Sequence, residues 1–255
     1  MMRLKDKVIV VTGATKGIGN GISRVLAREG AYVILSGRST NEGEELAGEI
    51  KKSGCQAEFI RSDVSRVEDC YHLIDRAVEI GGKIDGLVNN AGIFPYFNFM
   101  ETNEETFDSV MATNIKGPFF ATQRALKYMI EQKNGSIVNI GSTHWQVGSE
   151  LISAYAVSKG ALHTLTQHVS HHFAKYCVRC NWITVGWVMT PGELSRVEKG
   201  GHDLAWLQER AAGAIPSGRM QTPEDMAHAC TFLLSDESSQ VTGADIKVTG
   251  GFHFP

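Results

Sequence analysis

The chain has 255 residues, 42% of them apolar and 21% charged, which is enough to bury a core without disulfide or metal staples and far from the composition of a disordered chain. Its 25 basic and 28 acidic residues leave a net charge of -3 with no block of one sign, so it carries no electrostatic footprint for a nucleic-acid backbone or an anionic membrane. No apolar run approaches the ~18 residues that cross a bilayer. The run Val8 to Val11 is too short for a signal-peptide core, and five cysteines without framework spacing point to reduced thiols in a cytoplasmic compartment.

Short β-branched runs alternate with longer amphipathic ones. Strands are expected at 7–11, 32–36, 57–60, 86–89, 136–140, 178–183 and 245–248, the early ones apolar almost throughout, as for parallel strands covered on both faces. In the first helical stretch Ile18, Ile22, Val25 and Leu26 form one apolar stripe, and Gly30 follows as a C-terminal stop. Further helices are expected at 40–53, 65–80, 104–132, 153–176 and 222–234. The last opens Thr222-Pro223-Glu224-Asp225, a cap, a proline and acids at the positive end of the helix. With no linker or repeat dividing the chain, this alternation predicts one α/β domain over 1–255, a doubly wound parallel sheet of about seven strands. Ligands of such folds bind at the carboxyl ends of the strands.

The sequence Thr12-Gly13-Ala14-Thr15-Lys16-Gly17-Ile18-Gly19 lies between the first strand and the first helix. Glycines there let the backbone turn tightly and approach a pyrophosphate resting on the helix N-terminus. Gly13, Thr15, Lys16, Gly17, Ile18 and Gly19 are therefore candidate cofactor contacts. An acid at the end of the second strand would bind a ribose 2′-hydroxyl and favour NAD. This strand ends Leu35-Ser36-Gly37-Arg38 instead. Arg38, seconded by Lys16, suits a 2′-phosphate, so NADP is favoured over NAD.

Tyr155 and Lys159 stand at i and i+4 on a helical segment, so the phenol and the ammonium leave from one face. Alone the pair means little; its place in a series carries the weight. The glycine loop comes first, then Asn89-Asn90-Ala91-Gly92 after the fourth strand, Ser142 after the fifth, and Tyr155 and Lys159 last. In this the sequence resembles the short-chain dehydrogenase/reductase superfamily, in its short single-domain branch, from Lys7 to Gly251. The resemblance also takes in Asp63-Val64, Asn114 and the Gly250-Gly251 ending.

The resemblance implies that Tyr155 is the general acid and base, that Ser142 holds the substrate oxygen, that Lys159 binds the nicotinamide ribose, and that Asn114 holds a water relaying protons to the lysine. A free phenol is a poor base at neutral pH, so the charge of Lys159, joined by that of the nicotinamide ring of NADP+, is expected to lower the Tyr155 pKa. The resemblance further makes Asp63 and Val64 adenine contacts and places Asn90, Gly92, Val188 and Thr190 against the cofactor. It implies a homotetramer with the two long middle helices and the C-terminal tail at interfaces. Where the family has Pro-Gly after the sixth strand, this chain has Val185-Gly186, and valine prefers extended backbone without fixing φ.

The expected reaction is hydride transfer between nicotinamide and a small-molecule alcohol or carbonyl. A non-catalytic NADP-binding regulator of the same fold is the alternative, although such a protein would be expected to lose Tyr155 or Lys159. Phe94, His144, Trp187 and Glu193 are candidate substrate contacts, with Tyr96 nearby; His144, Gln146 and Glu193 beside these aromatics suggest a compact substrate with hydroxyls, such as a sugar, polyol or small cyclic ketone. The glycine-flanked stretch 187–214 is expected to be a mobile lid, with Leu194, Val197, Leu204, Trp206 and Leu207 supplying its inner face. No metal site is expected: His168 and His172 are spaced i, i+4 but lack the glutamate of a zinc motif, and Cys177-x-x-Cys180 has no partner pair.

Overall fold

A computed structural model describes residues 2–252; the last three residues of the C-terminal tail lie outside them. Seven parallel strands are formed: β1 (Val8–Val11), β2 (Tyr32–Gly37), β3 (Gln56–Arg61), β4 (Gly86–Asn89), β5 (Gly135–Ile140), β6 (Val178–Val185) and β7 (Asp245–Val248). Their order is β3-β2-β1-β4-β5-β6-β7. The order reverses between β1 and β4, and the crevice of a doubly wound sheet opens at that switch point.

Helices cover both faces, and the period of two along each strand decides which side chains meet which layer. Ile9 and Val11 join Ile22, Val25 and Leu26 of α1 (Gly17–Arg28), Leu46 and Ile50 of α2 (Thr40–Lys52), and Met226, Cys230 and Leu233 of the C-terminal helix Pro223–Leu234. Val8 and Val10 face Leu73 and Ile74 of α3 (Val67–Gly81), and the helices that carry Met129 and Leu162. The cap expected at Thr222 is formed, and Asp225 returns a bond to the Thr222 backbone to complete a capping box.

Most differences from the sequence reading are at element ends. β1 begins at Val8, not Lys7, while β5 begins one residue early and β6 runs two residues past Ile183 to pair Val185 with Val248. That extension takes in Val185, where the resemblance implies a proline, and Gly186 N–H donates to the Val248 carbonyl just beyond it.

The stretch 104–132 is not one regular helix. α4 (Glu104–Met111) passes through a π turn at Ala112–Lys116 into α5 (Gly117–Gln132). Pro118 brings no N–H to the helical ladder, and Gly117 lies so close to Val64 that a Cβ would stand 2.5 Å from the Val64 carbonyl oxygen. The turn is displaced there and presents Asn114 inward, fully buried.

α6 (Ser153–Phe173) ends in a short 3-10 turn, with Cys177 left-handed at φ 60°. The segment after β6 forms two helices, α7 (Pro191–Lys199) and α8 (Leu204–Ala214), ahead of the C-terminal helix, α9 (Pro223–Leu234). Val197 and Leu207 bury their side chains beneath this segment and Trp206 packs partly against them, whereas Leu204 faces solvent.

Candidate active site

The glycine loop closes on itself before any ligand is considered. Gly13 (φ 62°) and Gly17 (φ 52°) are left-handed, a conformation that favours glycine. A Cβ on Gly19 would lie 2.1 Å from the Gly13 carbonyl oxygen. Asn90 holds the loop from the β4 side, its Nδ2 donating to the carbonyls of Thr12 (2.9 Å) and Gly13 (3.0 Å). Thr15 packs beside Gly37.

The N-terminus of α1 begins at Lys16 with no side-chain cap and no acid in its first turn. Its leading N–H groups are thus left to an anion, as a pyrophosphate site requires. Ile18 packs against the core beneath it.

Arg38 leaves the end of β2 exposed, without an ion-pair partner among the described residues. Lys16, the other cation nominated for a 2′-phosphate, is paired with Glu42 at 2.7 Å on the surface. Asp63 accepts from the backbone N–H (3.0 Å) and hydroxyl (2.8 Å) of Ser65. Burial pushes the Asp63 carboxyl up, but those bonds and the charges of Arg38 and Arg66 outweigh it and hold the group below the usual range. Val64 is buried beside it.

Across the crevice, Met189 N–H donates to the Gln221 carbonyl and Gln221 N–H to the Trp187 carbonyl. Strand-like alternation then turns the N–H and C=O of Val188 the other way, into the crevice. Thr190 caps α7 and lies beside Gly17: a Cβ there would be 3.4 Å from the threonine methyl. An uncapped helix end, a glycine cradle, a free strand edge and an arginine in place of an acid make a donor set that fits a nicotinamide dinucleotide.

Tyr155 and Lys159 share a helix face as their spacing requires, and Ser142 joins them as the family resemblance implies. Ser142 leaves the end of β5 with its Oγ accepting from His144 N–H at 3.1 Å. Burial pushes the Tyr155 phenol up to about 12, and a hydrogen bond with Ser142 pulls against that shift. Lys159 donates to the Ile140 carbonyl at 2.7 Å and lies 5.6 Å from the centre of the Tyr155 ring. Burial brings its ammonium down to about 8.

The expected lowering of the tyrosine by the lysine is therefore not found in the protein alone. The ammonium is aimed at a strand carbonyl, and desolvation of the phenolate dominates. Asn114 exchanges bonds with the Ile93 backbone (N–H to Oδ1 2.8 Å, Nδ2 to C=O 2.8 Å) and donates to Ser158 Oγ (3.0 Å). A Cβ on Gly92 would stand 3.4 Å from Asn114 Oδ1 and 3.8 Å from Lys159 Nζ, so the bare glycine keeps this corner open.

The substrate side is aromatic. Phe94 makes edge contacts with Tyr96 and with Tyr155, the latter at 5.8 Å between ring centres. His144 sits at the start of the β5–α6 loop, with burial lowering its pKa. Glu193 accepts from Trp187 Nε1 (2.6 Å) and from both Nε (2.9 Å) and Nη2 (2.5 Å) of Arg196. Its carboxylate is occupied by these partners. Arg196 lies over Tyr96 and was not foreseen from the sequence; the only signal was its i, i+3 spacing from Glu193. The clustered histidines are exposed, His168 and His172 with ring centres 4.5 Å apart. Among the described residues no group of three His, Cys, Asp or Glu side chains is placed to hold a metal.

A glycine cradle at the switch point of a seven-stranded parallel sheet, facing a serine, tyrosine and lysine from the next strand and helix, defines a nicotinamide-dependent oxidoreductase. The family model for enoyl-(acyl carrier protein) reductase matches residues 13–253, and the chain belongs to the short-chain dehydrogenase/reductase family, whose members act on CH–OH groups. It is 37% identical to an uncharacterized oxidoreductase of Thermotoga maritima, over 98% of each chain. It is 35% identical to the L-rhamnose 1-dehydrogenase (NAD(P)(+)) of Azotobacter vinelandii, again over 98% of each. Among solved structures, a putative short-chain alcohol dehydrogenase from Sinorhizobium meliloti superposes with a TM-score of 0.91 at 32% identity, over 98% of each chain. No helix among the described residues is long and apolar enough to cross a membrane.

Proposed function

We propose that this protein is an NADP-dependent enzyme that interconverts a small alcohol and its carbonyl compound, with Tyr155 as the proton carrier. The observation that carries the reading is the Ser142–Tyr155 hydroxyl pair with Lys159 one helical turn away. Gly13, Thr15, Lys16, Gly17, Ile18 and Gly19 cradle the pyrophosphate, Asp63 and Val64 meet the adenine, and Asn90 and Gly92 border the sugar. Val188 and Thr190 meet the carboxamide. When bound, the nicotinamide supplies or accepts the hydride at C4.

In reduction, the carbonyl oxygen rests between the hydroxyls of Ser142 and Tyr155. As the carbonyl carbon gains the hydride, Tyr155 passes its proton to that oxygen. With its pKa raised by burial, the phenol carries its proton at neutral pH; the same shift makes it a weaker acid, which the Lys159 ammonium and bound cofactor would have to offset. Lys159, the conduit by which Tyr155 recovers a proton, also holds the ribose, while Asn114 fixes Ile93 and Ser158 beside it. In oxidation the same proton travels back to Tyr155.

Phe94, His144 and Trp187 form the substrate walls, and Glu193 acts by holding Trp187 and Arg196 in place. Residues 187–214 are the lid of a single domain. Aromatic walls beside the Ser142 and Tyr155 hydroxyls and His144 suit a sugar, polyol or small cyclic ketone, in keeping with the name of the L-rhamnose 1-dehydrogenase relative. The working form is a cytoplasmic homotetramer.

A panel of keto sugars, cyclic ketones and polyols, followed by NADPH absorbance, tests the reaction; no turnover on a broad panel would leave a cofactor-binding regulator as the better reading. Arg38→Asp tests the nucleotide. Its NADP preference should collapse towards NAD, and an unchanged preference would remove Arg38 from the cofactor site.

A further inference from the structure

Beneath the catalytic residues, a line of buried polar side chains crosses three strands and reaches α5 and α6, which pack on the same face of the sheet. Thr122 (α5), Asn89 (β4), Asn139 (β5), Thr166 (α6) and Cys180 (β6) are all 2% exposed or less. Asn89 Nδ2 donates to Thr122 Oγ1 (3.1 Å) and to Asn139 Oδ1 (2.8 Å). Asn139 Nδ2 donates in turn to Thr166 Oγ1 (2.8 Å) and to Cys180 Sγ (3.7 Å). The Thr166 hydroxyl donates in turn to the Leu162 carbonyl at 2.9 Å. Every donor and acceptor of the Asn139 amide is thereby used.

The position of this line gives it a role. Asn139 is three residues before Ser142 on β5 and its chain continuation, and Thr166 is seven residues after Lys159 on the same face of α6. Ile140, the next residue along β5, has its carbonyl held by Lys159 at 2.7 Å. Two adjacent residues of β5 are thus tied to α6 at points two turns apart, one by the lysine and one by Thr166. Through Asn89 the same amide is joined to β4, whose next residue is Asn90 of the glycine-loop clamp.

Buried amides carry a desolvation penalty that apolar side chains of similar shape would avoid. Here the Asn89 Oδ1 atom is left without a partner. What such a network supplies is a fixed geometry, because each bond has one satisfied arrangement.

We propose that Asn139 and Thr166 are positioning residues for the reaction: their hydrogen bond sets the register of β5 against α6 and so fixes the distance between the Ser142 and Tyr155 hydroxyls. Neither touches substrate or cofactor. This rests on the reading of Tyr155 and Ser142 as the proton-transfer pair.

Thr166→Val keeps the side-chain shape and removes the acceptor; Thr166→Ser keeps the acceptor. In the intact enzyme, at a temperature where every variant is folded by circular dichroism, Thr166→Val should lose about tenfold in kcat. KM for substrate and NADPH should change less than about twofold, and Thr166→Ser should recover most of the loss. The loss should shrink to under about twofold in a Ser142→Ala background, because the geometry it protects is then already gone. An equal loss in both backgrounds, full activity of Thr166→Val, or no recovery by Thr166→Ser overturns the proposal. Tyr155→Phe is measured alongside. If the parent is active and Tyr155→Phe is dead while Thr166→Val is unimpaired, only the positioning role falls. If Tyr155→Phe keeps its activity, or the parent turns over nothing, the reading of the site falls and the positioning role falls with it.

Discussion

Arg196 lays its guanidinium over the ring of Tyr96, 5.5 Å from the ring centre, while Glu193 grips the same guanidinium through Nε and Nη2. One contact lies on α7, the other on the segment after β4 that carries Phe94 to the edge of Tyr155. The pair therefore joins the helix above the pocket to the wall beside the reacting hydroxyl. Removing the charge should loosen that wall without touching the chemistry. Arg196→Met is expected to raise substrate KM severalfold, with NADPH affinity unchanged and kcat at saturating substrate within about threefold. Steady-state kinetics beside NADPH fluorescence titration check this; an altered NADPH affinity would place Arg196 in the cofactor site instead.

Tyr155→Phe keeps the ring that packs on Phe94 and loses only the hydroxyl. Turnover should fall to below about 1% of the parent, the scale of a lost general acid. NADPH should still bind, since the glycine cradle and Val188 are untouched. Retention of a substantial rate would take Tyr155 out of the proton-transfer role.

How much of this the sequence held differs from element to element. The order of strands and helices and the pairing of Tyr155 with Lys159 follow from local pattern, because each depends on short-range spacing, whereas the place of Ser142 beside them is legible only through the family resemblance. The π turn follows from neither. Gly117-Pro118 stood in plain view, but Glu104 to Gln132 carries helix-compatible residues on both sides, and the break is set by the contact of Gly117 with Val64, over fifty residues away in the chain. Lys159 and bound NADP+ together are expected to lower the Tyr155 pKa; in the protein without cofactor, burial raises it. A lysine at i+4 says how close a charge lies to the ring, not that its ammonium is turned to the Ile140 carbonyl. Arg196 was missed for the same reason, since its partner Tyr96 lies 100 residues earlier.

Burial of Lys159 makes a prediction about stability in the cofactor-free protein. Its pKa falls from 10.5 to about 8 on folding. Between those values the unfolded chain binds the proton and the folded one releases it, so folding becomes more favourable as pH rises through this window. Below about pH 8 both states are charged and the full penalty of the buried ammonium applies. Lys159→Met removes the group and its slope. Denaturant unfolding at pH 7 and pH 10 should show the parent gaining on the variant by up to about 3 kcal/mol, and a difference that does not change with pH would mean that the ammonium is not buried as described.

The cofactor cradle can be tested through Gly19. A Cβ there would meet the Gly13 carbonyl oxygen at 2.1 Å and Asn90 Nδ2 at 2.5 Å, neither of which is the free end of a flexible chain. Asn90 is held by two bonds to Thr12 and Gly13, so the added methyl can be admitted only by pulling the glycine loop off β4. Gly19→Ala should therefore destabilise the protein by about 1–3 kcal/mol, the range of overpacked sites. It should also weaken NADPH binding by more than tenfold, because the loop that moves is the one that carries the pyrophosphate contacts. Gly48, on α2, has nothing within 4 Å of the corresponding position, and Gly48→Ala should be neutral or slightly stabilising as the helix gains a better former. Thermal unfolding and NADPH titration of the two variants side by side separate a cradle that requires glycine from a turn that merely contains it: equal behaviour of Gly19→Ala and Gly48→Ala would contradict the close approach of the loop to Asn90.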